Sequence, residues 1–309
     1  MVERRPFQLV PKRRPSGLPF GEHPGRRRGQ GSDAIGSREY RRGDAVSTID
    51  WFASAKRSTA SGRDEFVVRE YASDESPRMV VVADRRPAMA LYPPPLPWLD
   101  KAAAAIAAGE AIAAAAGAAR SDVALIDFAG AAERNGEPEW LPPRRRGPAQ
   151  VAEALAADRG FDARDGDLEL AFDYLLRRRG LLPVGSFVFV LSDFLAPLSA
   201  DALAASVARG WDLVPVVLQD LVWERSFPDV AGVVVPIVDA ASGVLLEVRL
   251  SRAEVREWRE LHERRFDRLV RLFEAFGLDP VIVESDEPAA VDDAFLAWSD
   301  VRKRSRWLH

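Results

Sequence analysis

The sequence predicts an α/β fold built on a doubly wound, mostly parallel sheet with helices on both faces. Short continuous apolar runs alternate with helical stretches, and Asp84 and Asp193 stand at the ends of two of these runs. Strands buried on both faces form such runs, and strands that alternate with helices pair in parallel through right-handed crossovers. A chain of 309 residues is long enough to bury a large core of this kind.

Five apolar runs are predicted as the strands of the sheet. They are residues 79–83, 123–128, 187–194, 213–220 and 280–285. Ligands of such sheets bind at the carboxyl ends of the strands. Asp84 follows the first run and Asp193 lies near the end of the third, so we expect both carboxylates at that edge.

Helices are predicted between these runs, at residues 102–119, 149–157, 167–179 and 200–209, and two more near the C-terminus. Ser251 and Glu254 form a capping box for the first of these two. The stretch 102–119 is nearly all alanine, which favours a helix but drives membrane insertion weakly, and Glu110 lies at its middle. It is predicted as a packed helix rather than a membrane span, and no apolar stretch typical of a signal peptide precedes it.

Three regions are predicted along the chain. Residues 1–30 form a flexible basic arm rich in Arg, Pro and Gly, which buries little. Residues 31–77 form an N-terminal extended or β region packed on the main domain, which covers residues 78–309. A β-hairpin near 232–251, with its turn at 241–243, is inserted in that domain.

The composition excludes several classes of function. Cysteine is absent, so disulfides, thiolate metal sites and cysteine nucleophiles are excluded. The net charge of −4 gives no whole-molecule case for nucleic-acid binding. No glycine-rich phosphate loop follows a strand, and the three histidines are too scattered for a catalytic triad or a zinc cluster. Enzymatic function is therefore disfavoured.

The stretch 37–56, SREYRRGDAVSTIDWFASAK, is too charged for a buried strand and too broken by Gly43 for a helix. Gly43 and Asp44 suit a turn, and Trp51 offers a large apolar body that would anchor the segment on the main domain. Asp44 and Asp50 have cationic partners nearby in Arg38, Arg41 and Lys56. The stretch is either a structural tie between the two regions or a surface that docks a partner.

Together with the Asp-ended strands, this stretch resembles the bacterial family called domain of unknown function 58 (DUF58). The resemblance implies an N-terminal motif joined to a von Willebrand factor A-like (vWA) domain, a three-layer, Rossmann-like fold. The matching residues are Ser37, Tyr40, Gly43, Asp44, Ile49, Asp50, Trp51, Ser54, Ala55, Arg69, Tyr71 and Glu75. Lys56 stands where the family usually has Arg, and the resemblance runs from about residue 30 to the C-terminus.

The resemblance also implies a degenerate cation site. vWA domains bind a divalent ion through Asp-x-Ser-x-Ser, a later Thr and a later Asp, hard oxygen donors of the kind that Mg²⁺ prefers. Here Asp84 and the pair Ser192 and Asp193 remain, but Arg86 and Ala88 replace both hydroxyls of the first motif. We therefore expect no cofactor, with Mg²⁺ as the ion that an intact site would take.

Arg86 suggests what takes the place of the ion. Our hypothesis is that its planar guanidinium bridges Asp84 and Asp193. The alternative is that Arg86 points to solvent and the edge is merely degenerate.

By the same resemblance we predict a non-enzymatic adaptor or accessory protein that works with a MoxR-type AAA+ ATPase in the assembly or activation of client proteins. The predicted docking residues are Ser37, Arg38, Tyr40, Gly43, Asp44, Asp50, Trp51 and Lys56. We predict a cytoplasmic protein with no stable membrane anchor in this chain. The alternatives are a metal-dependent hydrolase that uses Asp84 and Asp193, and nucleic-acid binding through the basic arm.

Overall fold

The computed structural model describes residues 4–13, 18–92, 94–129, 137–144, 147–157, 160–164, 166–196, 198–239 and 244–306. Within them the strands are β1 (Leu18–Glu39), β2 (Val67–Ser76), β3 (Met79–Ala83), β4 (Val123–Asp127), β5 (Glu139–Arg144), β6 (Phe187–Ser192), β7 (Asp212–Leu218), β8 (Val234–Val238), β9 (Leu245–Arg249) and β10 (Val281–Val283). The helices are α1 (Trp51–Ser61), α2 (Lys101–Ala118), α3 (Gly147–Ala156), α4 (Asp167–Arg177), α5 (Ala200–Ala208), α6 (Arg252–Ala275) and α7 (Pro288–Arg306).

The centre of the molecule is a six-stranded sheet with the order β10-β7-β6-β3-β4-β5, in which β5 alone is antiparallel. Side chains alternate between its two faces, as the pleat of a strand requires. Val81 faces the layer of α2, α3 and α7, whereas Val80 and Val82 face α4, α5 and α6. The predicted mixed α/β fold with a mostly parallel sheet is confirmed.

Helix α2 lies on the sheet through its small side chains. Asp100 caps its N-terminus by accepting from the Ala103 N–H at 2.9 Å. Gly109 lets α3 approach closely, because a Cβ there would lie 2.1 Å from a methyl group of Leu155. Among the described residues, α2 is the one helix long and apolar enough to cross a membrane, and more than half of that stretch is buried within the protein.

The N-terminal segment 4–13 lies against the main domain. Phe7, Leu9 and Val10 are buried, and the Phe7 ring stacks on Phe295 of α7 at a centroid distance of 4.8 Å. Arg4 forms an ion pair with Glu110 at 2.6 Å. The expectation that residues 1–30 bury little is therefore wrong for this segment. The average composition of the arm concealed a short apolar run that fits the α2/α7 face.

A separate two-stranded sheet, β1 with β2, precedes the main sheet, and α1 lies beside it. The stretch 37–56 covers the end of β1, a turn and the first part of α1. Gly43 has φ +109° and does interrupt regular structure, as expected. It lies well before Asp50, however, and the sequence after Asp50 is helical, so the exclusion of a helix holds only for the first part of the stretch.

Strands β8 and β9 form the predicted hairpin, as a sheet of their own. Its predicted turn at 241–243 lies outside the described residues. At its base, Val248 packs with Phe227, Leu250, Val255 and Trp258, which ties the hairpin to the start of α6. Ser251 and Glu254 form the predicted capping box at that helix end.

Candidate functional site

The order of strands in the sheet reverses between β3 and β6. From β3 the chain moves outward to β4 and β5, and then returns to β6 on the other side of β3. A crevice opens at the carboxyl ends of the strands at such a switch point. Asp84 directly follows β3 and Asp193 directly follows β6, so this edge brings the two predicted carboxylates together.

Arg86 lies between those two carboxylates. Its Nε donates to both Asp84 oxygens at 3.0 Å, and its Nη2 donates to Asp84 Oδ2 at 2.5 Å. The same Nη2 reaches Asp193 Oδ1 at 2.8 Å. The Arg86 backbone N–H also donates to Asp84 at 3.0 Å, which fixes the tight turn after β3. One guanidinium thus bridges the ends of two neighbouring strands.

Ser192 and Gln219 complete the hydrogen bonding around the two acids. The Ser192 hydroxyl donates to Asp84 Oδ2 at 2.6 Å and accepts from the Phe194 N–H at 2.9 Å. The Gln219 amide donates to the Asp193 carbonyl at 2.5 Å. These bonds hold the loops after β6 and β7 against each other.

Lys101 extends the network from the first turn of α2. Its side chain is 0% exposed, and its Nζ donates to Asp193 Oδ2 at 3.0 Å and to Glu224 Oε1 at 2.5 Å. Glu224 comes from the loop after β7 and accepts the Asp220 N–H through its other oxygen at 2.8 Å. Asp193 therefore accepts a hydrogen bond from Arg86 on one oxygen and from Lys101 on the other.

A second buried ion pair lies on the neighbouring strand. Arg85 donates to Asp127, the last residue of β4, through Nη2 at 2.9 Å and Nε at 3.0 Å. The Arg85 guanidinium also lies 5.2 Å from the centre of the Phe161 ring. Two adjacent arginines after β3 therefore reach the acids of different strands.

Side-chain cations offset most of the negative charge of this buried network. Asp84, Asp193 and Glu224 face Arg86 and Lys101, which leaves one negative charge. The Arg265 guanidinium donates to the Glu224 carbonyl and brings a third cation close. Burial raises the pKa of the Glu224 carboxyl, and Lys101 opposes that rise. Burial also raises the pKa of the nearby Tyr92 phenol.

These residues do not fit a divalent cation. A hard ion needs several oxygen donors at near-octahedral positions. Here the oxygens of Asp84 and Asp193 accept from the nitrogens of Arg86 and Lys101, and the Ser192 hydroxyl donates its proton to Asp84. No group of three or more potential ligands from His, Asp and Glu occurs in the described part of the chain.

In the region around α1, the motif's acids are engaged in local contacts. Arg38 donates to both oxygens of Asp44, from Nη1 at 2.7 Å and from Nη2 at 2.6 Å. Its Nε lies 3.1 Å from a carboxylate oxygen of Glu70. The Arg41 N–H donates to Asp44 at 2.7 Å. The Arg38 hydrogen bond is the main reason that the Asp44 pKa falls to about 2.

Asp50 and Ser54 join α1 to β2. Asp50 caps the helix by accepting from the Ala53 N–H at 3.0 Å, and it pairs with Arg69 at 2.8 Å. The buried Ser54 hydroxyl donates to the Asp50 carbonyl at 2.6 Å and accepts from the Val67 N–H at 2.8 Å. These polar residues hold the small N-terminal unit together.

The aromatic residues of the motif, unlike its acids, are largely exposed to solvent. Trp51 is 60% exposed and Phe52 is 83% exposed. Trp51 meets Phe66 edge to face at 6.2 Å, and Tyr40 meets the same ring at 6.3 Å. The expectation that Trp51 anchors the segment on the main domain is wrong, because the Asp50 cap places Trp51 in the first, outward-facing turn of α1. Ser37 and Lys56 are also exposed.

Sequence reasoning missed four residues of the buried network: Arg85, Lys101, Asp127 and Glu224. Asp127 carried a usable signal, since it ends a predicted strand as Asp84 does. Lys101 and Glu224 carried none, because their contact spans 123 positions of sequence.

The fold and its charged edge define a mixed α/β protein whose central strands end in paired side-chain charges. A family model described as protein of unknown function DUF58 matches residues 36–266, and the chain belongs to this family. No curated protein matches the chain.

Two solved structures are similar to part of the fold. One is the crystal structure of an aerotolerance-related membrane protein from Bacteroides fragilis NCTC 9343, carrying multiple mutations to serine. It is 16% identical, with a TM-score of 0.37, over 73% of this chain and 99% of that chain. The other is the pilus adhesin SpaC from Lactobacillus rhamnosus GG, 11% identical, with a TM-score of 0.37, over 74% of this chain and 31% of that chain.

Proposed function

We propose that the protein is a non-enzymatic, vWA-like adaptor that binds a MoxR-type AAA+ ATPase and presents it to a client protein. The ATPase and client come from the family resemblance. The observation that carries the adaptor role is the exposure of Trp51 and Phe52 beside a set of satisfied polar motif residues. The proposal places this adaptor in the cytoplasm.

Two adjacent aromatic side chains that stay in water forgo the free energy that their burial would contribute, so their exposure favours a binding role. Aromatic residues are enriched among the residues that dominate binding energy, because they bury a large area at low entropic cost. Trp51 and Phe52 lie on a helix fixed by a cap and by the Ser54 bonds, so they are presented rigidly. The polar residues of the motif thus have a structural role, and its aromatic residues are available to dock a partner.

The carboxyl edge supports a non-enzymatic role. Its acids are buried and hydrogen-bonded to Arg86 and Lys101, so they are not free to activate water or hold a substrate. The hydrolase alternative, which uses Asp84 and Asp193, finds no support in this geometry. The side chains of the basic arm at 26–28 lie outside the description, and nothing described favours nucleic-acid binding.

The test is binding of a purified MoxR-type ATPase, loaded with a non-hydrolysable ATP analogue, to the immobilised protein. We expect the double variant Trp51→Ala, Phe52→Ala to bind about tenfold or more weakly, a loss of about 1.4 kcal/mol or more. The matched control is Val301→Ala, which removes an exposed apolar side chain from α7. Equal affinity of the wild type and the double variant would contradict the docking role.

A further inference from the structure

The β8–β9 hairpin exposes several apolar side chains to solvent. Leu245 is 58% exposed and Leu246 is 56% exposed, and Val234 and Val238 are exposed as well. An isolated two-stranded hairpin is marginal in water, and its unpaired edges are templates for another strand. The base of this hairpin packs on the start of α6, which supports it.

The register shows which backbone groups point outward. Asp239 N–H donates to the Val244 carbonyl at 3.0 Å, so this pair is a hydrogen-bonded one. Hydrogen-bonded and non-hydrogen-bonded pairs alternate along an antiparallel ladder. In the pairs Val238 with Leu245, Pro236 with Glu247, and Val234 with Arg249, the backbone groups therefore face away from the partner strand.

The two edges of the hairpin differ in what they offer. On the β8 edge the middle outward position is Pro236, which has no N–H to donate. On the β9 edge the outward positions Leu245, Glu247 and Arg249 all keep their N–H groups, and within the described residues no strand pairs with that edge. The β8 edge is blocked against strand addition and the β9 edge is open.

The charges on β9 argue against a second copy of this chain as the occupant. Two antiparallel copies of β9 that use all three outward positions would place Glu247 directly opposite its own copy. Like charges in direct cross-strand contact are destabilising. An unrelated strand has no such conflict if it carries a cation opposite Glu247 and apolar residues beside Leu245 and Leu246.

We propose that the open β9 edge captures an extended segment of a partner protein as a third strand. The segment is apolar with a central Lys or Arg opposite Glu247. Main-chain hydrogen bonds supply affinity in this mode of recognition, and alternate side chains supply specificity. The surface is distinct from Trp51 and Phe52, so it goes beyond the proposed function and does not depend on the ATPase.

The probe is an array of capped peptides of about seven residues, the length of a short strand, with a central Lys flanked by Val, Ile, Leu, Tyr or Thr. Binders are measured in solution by fluorescence anisotropy. Glu247→Pro removes an outward N–H from the β9 edge, and Val238→Pro removes one from the already blocked β8 edge. We expect Glu247→Pro to weaken binding about tenfold or more and Val238→Pro to leave it unchanged.

A charge exchange keeps the test sharp if a proline variant does not fold. Glu247→Lys should lose the Lys peptides and bind the same peptides with a central Glu. The proposal is overturned if no peptide binds more tightly than about 1 mM, or if binding ignores both Glu247 variants. It is also overturned if ultracentrifugation shows a dimer that Glu247→Pro abolishes, because the occupant is then a second copy.

Discussion

Arg86 shows how one side chain closes a site between two strands. Its guanidinium is planar and carries donors in a fixed fork, so it pairs with Asp84 through Nε and Nη2 and also reaches Asp193 through Nη2. Buried ion pairs add little net stability compared with apolar packing, but removing one partner leaves the other charge buried and unpaired. The value of Arg86 therefore lies in holding the ends of β3 and β6 in one arrangement.

Substitution of Arg86 should be costly for this reason. Arg86→Met leaves Asp84 and Asp193 close together without their shared cation, and we expect the free energy of unfolding to fall by about 3 kcal/mol or more. Urea denaturation monitored by fluorescence measures it. The matched control is Arg264→Met, which breaks the exposed pair with Glu260 and should cost less than about 1 kcal/mol. Similar losses in the two variants would show that Arg86 is not structurally important.

At the same scale, the sequence predicted only those site residues that a strand end or a family motif marks. Asp84 and Asp193 were identified because they stand at the ends of predicted strands, and parallel strands bring their carboxyl ends to one edge. Arg86 was identified through the family resemblance, because it stands where the cation motif has a hydroxyl. Lys101 and Glu224 join that site from a helix start and a loop, where no local pattern marks a buried charge. A lysine at the first turn of a helix is ordinarily exposed, and only the fold shows this one to be enclosed.

At the scale of elements, the Ser54 hydroxyl and the Asp50–Arg69 ion pair join α1 to β2. Ser54→Ala removes the acceptor of the buried Val67 N–H, and an unsatisfied buried donor costs about 1–3 kcal/mol. We expect faster hydrogen exchange in α1 and at Val67, measured by mass spectrometry, with little change in β3 and β6. Thr59→Ala, on the exposed face of the same helix, is the control. Unchanged exchange in Ser54→Ala would contradict this account of the motif.

Elements with one dominant pattern were predictable, and composite ones were not. The buried strands follow from continuous apolar runs, and α6 follows from its capping box and apolar stripe. Strand β5 was missed because its sequence EWLPPR contains two prolines, which an antiparallel edge strand tolerates. Helix α1 was missed because charge and Gly43 dominate the stretch before it.

At the scale of the whole molecule, the charged edge of the main sheet is buried, and the exposed features belong to other elements. The N-terminal stretch 37–56 exposes the side chains of Trp51 and Phe52, and the β8–β9 hairpin leaves the β9 edge unpaired within the described residues. At the carboxyl edge, Arg86 and Lys101 bring two positive charges to the carboxylates of Asp84 and Asp193. The central claim is that these side-chain cations leave the two acids no oxygens with which to hold a divalent ion.

Calorimetric titration of the purified protein with Mn²⁺ tests that claim most directly, because Mn²⁺ prefers the same hard oxygen ligands as Mg²⁺. Asp193→Ala serves as the matched variant. The account predicts no binding heat beyond dilution in either protein. Micromolar affinity in the wild type that disappears in Asp193→Ala would contradict it.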